Sequence, residues 1–484
     1  MKLAVIGSGP SGWAVTKTLT DLGHQVTIID SSLIESDVTD NDTNNIDATL
    51  NKKLYFGSDL PYRSFPFGPS LNSQEVNPIF SFARGGLSLV WGATMLPYCK
   101  EDTLNWPFDV SSLENEFREL SEVIPITGGR DGLSPSYGNF YSRRGILPSN
   151  RILKVLEHFA RIDVPEIQVG LSRLAVETGT HEIEGCVYCN KCINGCPLNL
   201  IWSSKDSNFK SENLKLRVLK LNESSIGVEV EAVDIDGEHK VLDGFEKVFI
   251  ATGSLESFRI LANSKIVSQE GILKDSATFF LPLIALPKLG KLLHNSFGLS
   301  QVFIRLNRTD SKVASQFQLY EYSDDLIARA KKALPFGALI PNSILRFFLK
   351  RMMVAIGYLD GADSPGIQMR LVDDGSVLNS LARDGKSWEE RNQVIKLSIK
   401  RLSKHIMNLG LFPIPFLTQI ALPGEGVHFG SWLPMGEKSD LLGRPIGSEL
   451  IHVVDSSVLP TIAPGPITFT VMANAMRIAK AAVK

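Results

Sequence analysis

The sequence predicts an α/β protein in two parts, a Rossmann-like domain with a parallel sheet and an α+β substrate domain built on an antiparallel sheet. Three observations carry this reading. An apolar run, a glycine turn and a helix-like stretch fill residues 3–22; a second apolar strand ends in Ala251, Thr252 and Gly253 just before a helix; and several β-type runs follow between 270 and 415. At 484 residues, with 43% hydrophobic and 21% charged, the chain can bury two or three cores and is not disordered by composition.

The first element is the most specific. Leu3 to Ile6 leads into Gly7, Gly9 and Gly12 in the pattern GxGxxG, with Pro10 and Ser11 inside it; a helix to Leu22, a strand over 25–29 and Asp30 follow. Each residue has a task in holding a dinucleotide. Gly7 turns the chain, Gly9 lets backbone approach a pyrophosphate, Gly12 lets helix and strand pack, and the helix N-terminus faces the phosphate charge. Asp30 is placed to accept from ribose hydroxyls. The polar stretch 31–78 reads as loop over the cofactor. Ala83 to Met95, ARGGLSLVWGATM, supplies Gly85, Gly86, Ser88, Trp91 and Gly92, small and flat groups suited to lie against a ring system, with Ser88 or nearby amides hydrogen bonding to it.

Residues 216–264 read as two alternating strands around a turn at Asp236 and Gly237, then the strand that ends in Ala251-Thr252-Gly253, a second close approach to the dinucleotide. Runs at 278–284, 301–306, 316–321, 354–359 and 366–371 form the antiparallel sheet, interrupted over 320–353 by two helix-like stretches and followed by an amphipathic helix over 388–409. The chain closes with HFGSWLPMG at 428–436, a strand-like run with Asp455 and Ser456, then Pro466, Thr468 and a terminal helix returning to the first domain.

Cys186, Cys189, Cys192 and Cys196, with Pro197, form CxxCxxCxxxCP, the spacing of a ferredoxin cluster loop. Iron-sulfur, tetrahedral zinc and disulfides are the competing readings. Cys99 is a remote candidate ligand. The net charge of -2, from 50 basic and 52 acidic residues, offers no field to gather nucleic acid. The glycines in MKLAVIGSGPSGWAV and the lack of an A-x-A site argue against a secretory segment, so the expected location is cytoplasmic. ILRFFLKRMMV at 344–354 fits either core packing, the preferred reading, or an interfacial helix at the inner face of an anionic membrane.

In order and content these segments resemble the glucose-methanol-choline oxidoreductase family over nearly the whole chain. The matching motifs are the N-terminal fingerprint, Gly85 to Gly92, Ala251 to Leu261, His428 to Gly436 and Asp455 to Pro460. The resemblance implies an FAD-binding domain of the p-hydroxybenzoate-hydroxylase-like kind, divided as 1–269 with a cysteine insertion at about 180–205, a substrate domain over 270–415, and a C-terminal return over 416–484. It implies a dehydrogenase acting on a sugar or alcohol hydroxyl, with His428 as the catalytic base. The substrate would be a small molecule or a lipid-linked sugar or alcohol.

Bacterial sugar dehydrogenases of this family carry a three-iron cluster on cysteines resembling Cys186, Cys192 and Cys196, which leaves Cys189 as an addition; a 3Fe-4S or 4Fe-4S cluster is expected, with zinc as the alternative. Electrons would leave through it to a quinone or carrier protein. Val90 stands where covalent members have a flavin-linking histidine, so the FAD is expected to be noncovalent. The chain departs from the pattern twice. Ser431 and Trp432 replace a Gly-Thr pair, and Gly465 leaves the second polar side chain of the site missing, to be replaced by Thr468 or by a residue of the substrate domain. Two other classes remain open, a zinc-stabilised flavin oxidase and a non-catalytic electron-transfer protein.

Overall fold

The computed structural model describes residues 1–34, 60–162, 164–180, 183–206, 209–290, 297–307, 314–321, 327, 331, 337–383 and 385–484. Much of the loop expected over 31–78, and the first of the two helix-like stretches within 320–353, lie outside these residues. Five parallel strands form the first sheet, in the order Ile451–Val453, Lys247–Ile250, Lys2–Ile6, Gln25–Asp30 and Glu212–Lys215. The inner strands are short and apolar, as a parallel sheet covered on both faces requires, whereas the edge strand Glu212–Lys215 is polar and largely exposed. Lys2–Ile6 is buried at every position but its first.

The helix Pro10–Asp21 packs against the terminal helix Thr468–Ala482. The last part of the chain thus returns to the first sheet, adding Ile451–Val453 as its edge strand. Beside this sheet, Arg217–Ser224, Gly227–Val233 and His239–Phe245 make a three-stranded antiparallel sheet, one strand more than the two alternating runs expected there. The turn at Asp236 and Gly237 joins its last two strands, with the Gly237 amide donating to the Asp234 carbonyl at 3.2 Å.

The larger antiparallel sheet runs Leu411–Pro413, Thr278–Ala285, Met352–Leu359, Ser315–Tyr320, Val302–Leu306 and Ile167–Leu171, with Gln419–Ile420 also paired to Thr278–Ala285. Its last strand comes from well before residue 270. The run at 366–371 joins a different sheet, as Ile367–Leu371 between Glu270–Asp275 and Val377–Leu381. The helix Trp388–Ile406 starts at a capping box, where the Glu390 amide donates to Ser387 Oγ at 3.2 Å and the Ser387 amide donates to Glu390 Oε2 at 2.8 Å. It buries Ile395, Ile399, Leu402 and Ile406 against the large sheet, in a core separate from that of the parallel sheet.

Core packing, the preferred reading of 344–354, holds only in part. The helix Asn342–Leu349 buries Leu345 and Leu349, while Ile344, Phe347 and Phe348 face solvent. No helix among the described residues is long and apolar enough to cross a membrane.

Candidate active site

The C-terminal ends of the parallel strands and one face of the large sheet enclose a cavity of ≈ 870 Å³. Its first wall is the glycine turn. Gly7, at φ +102, lies so close to the next turn that a Cβ on it would stand 2.5 Å from the Ala251 carbonyl oxygen. A Cβ on Gly12 would stand 2.0 Å from the Gly7 carbonyl oxygen and 3.3 Å from the Ala251 Cβ, so the helix start packs too closely on the two turns for a side chain there. Gly9 has nothing within 4 Å of its Cβ position and borders the cavity with Pro10 and Ser11 at the start of the helix. The first N–H groups of a helix have no partner within it and favour an anion.

Asp30 also borders the cavity. Its Oδ2 accepts from the Ser8 amide at 2.8 Å and its Oδ1 from the Ser32 amide at 2.7 Å, which fixes the carboxylate. Burial nevertheless raises its pKa above the ordinary value. A bound ribose would give the carboxylate further donors.

Gly86, Ser88, Trp91 and Gly92 line the cavity, whereas Gly85 packs behind it against Lys205. Ser88 Oγ is tied into the protein: it donates to the Gly85 carbonyl at 2.7 Å and lies 3.1 Å from Ser204 Oγ, which itself reaches the Ser8 carbonyl at 2.9 Å. This serine knot pins the two glycine turns together. Trp91 Nε1 donates to the Trp202 carbonyl at 3.0 Å, so the residues just after the cysteine segment support the same wall.

Ala251, Thr252, Gly253, Asp455, Ser456, Pro466 and Thr468 complete this side. Asp455 accepts from Ser257 Oγ at 2.5 Å and from the Ser457 amide at 2.9 Å, while Ser456 Oγ donates to the Phe429 carbonyl at 2.9 Å. The Ser431 amide donates to the Ser456 carbonyl and Ser431 Oγ to the Pro460 carbonyl, both at 2.9 Å. Trp432 Nε1 donates to Ser457 Oγ at 2.8 Å. The two residues that depart from the family pattern thus lock 428–436 onto 455–460.

His428 reaches the cavity from this locked segment. Its Nδ1 has no protein partner, and its ring lies 4.9 Å from that of Tyr358, tilted by 35°. Burial pushes its pKa down to about 4, so the imidazole is neutral at pH 7. Its backbone is held by the Ser276 amide, which donates to the His428 carbonyl at 2.9 Å.

Sequence motifs did not mark the opposite wall. Thr278, Phe280, Gln318, Tyr320, Val354, Ile356 and Tyr358 come from three adjacent strands and face the cavity on every second residue. Tyr320 Oη donates to Gln318 Oε1 at 3.3 Å. Farther along the same face of that strand Gln316, 1% exposed, fills the space beside Gly465: a Cβ on that glycine would stand 1.9 Å from Gln316 Oε1. Gln316 is not among the residues that line the cavity.

All four clustered cysteines are free. Their loop carries Tyr188, Asn190 and Asn199 in left-handed backbone, and the Tyr188 and Leu200 amides donate to Cys186 Sγ at 3.4 Å and Cys196 Sγ at 3.5 Å. Such N–H to sulfur bonds suit thiolates around an inorganic core. Burial first, then the neighbouring cysteines, pushes the Cys192 thiol up to about 12. Among the described residues, no three His, Cys, Asp or Glu side chains are drawn together as a metal-holding group. Cys99 is engaged elsewhere, its thiol donating to Asp102 Oδ2 at 3.1 Å.

Fold and cavity together define a mixed α/β architecture, a parallel sheet whose strand ends border the cavity and an antiparallel sheet that faces it. Pyridoxine 4-oxidase from Mesorbium loti shares that fold with a TM-score of 0.63 at 14% identity, over 99% of this chain and 98% of that one. No protein-family model and no curated protein sequence matches the chain.

Proposed function

We propose that the chain is a dehydrogenase that oxidises the hydroxyl of a sugar or alcohol with noncovalent FAD, His428 acting as the base. The observation that carries this reading is the neutral imidazole with an unpartnered Nδ1 in a cavity whose other side is built from two glycine turns and a helix N-terminus. The glycine turn and Asp30 would hold the adenosine and pyrophosphate, and 85–92 with 466–468 the ring end. When bound, FAD supplies the two-electron acceptor for the hydride leaving the carbinol carbon.

His428 takes the hydroxyl proton as that hydride leaves. Its position is fixed by the Ser276 amide and the Ser456 side chain, and the apolar wall at Phe280 and Ile356 keeps water from the reacting carbon. The domain division at 269 and 415 belongs to the same reading, with the large sheet presenting the substrate. Cys186, Cys189, Cys192 and Cys196 are the residues that would hold an iron-sulfur cluster, and a cluster bound there would supply a one-electron exit toward a quinone or carrier protein.

A second reading is an oxidase that returns electrons to oxygen, with the cysteines holding zinc or no metal; the fold shared with an enzyme named as an oxidase favours it. Purification without oxygen, followed by the visible spectrum and iron, sulfide and zinc contents, separates the two. Flavin bands with broad absorption near roughly 400 nm and matching iron and sulfide support the dehydrogenase. Flavin without sulfide, together with peroxide formation, supports the oxidase, and a preparation that neither holds nor takes up flavin refutes both.

A further inference from the structure

The wall of the cavity continues to the surface. On Thr278–Ala285 and its partner Met352–Leu359, the residues facing the cavity include Phe280 and Val354. Two-residue steps along the same face lead to the paired Ile284 and Met352 at the end of the sheet. Ile284 is exposed, and Met352 packs under Leu345 and Leu349 of the helix Asn342–Leu349. The other side of that helix turns Phe347 and Phe348 outward, 68% and 63% exposed. The neighbouring turn Pro415–Leu417, which packs on Thr278–Ala285, exposes Phe416 by 85%.

Charge on three described segments of this face is of one sign. These segments, 277–290, 337–359 and 409–424, contain no Asp or Glu, and their charged residues are Lys288, Arg346, Lys350 and Arg351. All four are exposed. Projecting aromatics ringed by bases fit a surface with an apolar interior and negative headgroups.

We propose that this face docks the protein peripherally on an anionic lipid bilayer, with Phe347, Phe348 and Phe416 in the interface and Lys288, Lys350 and Arg351 at the headgroups. The cavity then opens beside the membrane. Docking does not depend on the catalytic reading, and its test measures no turnover.

The flavin-loaded protein is floated with vesicles of phosphatidylcholine alone and of phosphatidylcholine with phosphatidylglycerol. It should rise with the anionic vesicles and stay down with the neutral ones. The double variant Phe347→Ser/Phe348→Ser, which removes only exposed rings, should lower partitioning about tenfold. Lys350→Gln/Arg351→Gln should lower it on the order of tenfold through lost headgroup attraction. Wild-type protein that stays at the bottom with anionic vesicles overturns the proposal, as does flotation of either double variant equal to that of the wild type. A dimer in solution that the phenylalanine variant dissociates, without flotation of the wild type, assigns the face to a second copy and also overturns it.

Discussion

Replacing Gly465 with alanine tests the fit between the terminal segment and the substrate-domain sheet. The new Cβ would stand 1.9 Å from Gln316 Oε1, far inside contact distance, and Gln316 is buried at 1% exposure with little room to withdraw. Gly465 also sits at φ +122, where an L-residue is strained. Backbone strain of this kind costs about 1–3 kcal/mol, and overpacking costs about another 1–3 kcal/mol. Gly465→Ala should therefore lose roughly 2–6 kcal/mol of stability. In a Gln316→Ala background the clash is absent and only the backbone cost remains, so the same substitution should cost about 1–3 kcal/mol less.

Urea unfolding of the flavin-loaded protein, followed by tryptophan fluorescence for all four members of the cycle, gives the coupling. A Gly465→Ala protein within about 0.5 kcal/mol of wild type, or a cost unchanged by removing Gln316, would refute the argument.

Three further substitutions probe the cofactor wall and the acid response. Gly12→Ala puts a Cβ 2.0 Å from a backbone carbonyl that cannot rotate away, and should prevent stable flavin retention, read as the flavin-to-protein absorbance ratio after purification. Asp30→Asn removes the charge from two amide-bonded oxygens and should weaken FAD binding about tenfold, measured by titrating apoprotein. His452, 1% exposed and stacked on Phe249 at 5.1 Å, is pushed by burial down to about 4. Its folded value lies below its unfolded one, so its contribution is complete above pH 6.5 and is lost as pH falls through 4. It amounts to at most about 3 kcal/mol. His452→Phe should flatten stability against pH across that window, and an unchanged slope would contradict the assignment.

The parallel sheet was legible because its demands fall on residue type. Gly7 and Gly12 admit no Cβ, and the strands between helices must be apolar. His428 was legible through its surrounding motif. The facing wall was not, since Gln318, Tyr320 and Tyr358 alternate as any half-buried strand does, and which alternate face borders a cavity depends on strands far away in sequence. Ser88 shows the same limit: its hydroxyl partners at 203 and 204 lie more than a hundred residues on. Spacing alone located the buried Leu345 and Leu349 but could not tell whether anything covers Phe347 and Phe348.

The most direct test of the central claim is anaerobic rapid mixing of the FAD-loaded protein and its His428→Asn variant with a panel of alcohols and sugars, following loss of flavin absorbance. The account predicts that at least one hydroxyl donor bleaches the wild type, and that the variant, with flavin content and dithionite reduction unchanged, is slower by about 10²–10⁴-fold. Bleaching of the variant within a few-fold of wild type, or no bleaching of the wild type by any donor, would contradict it.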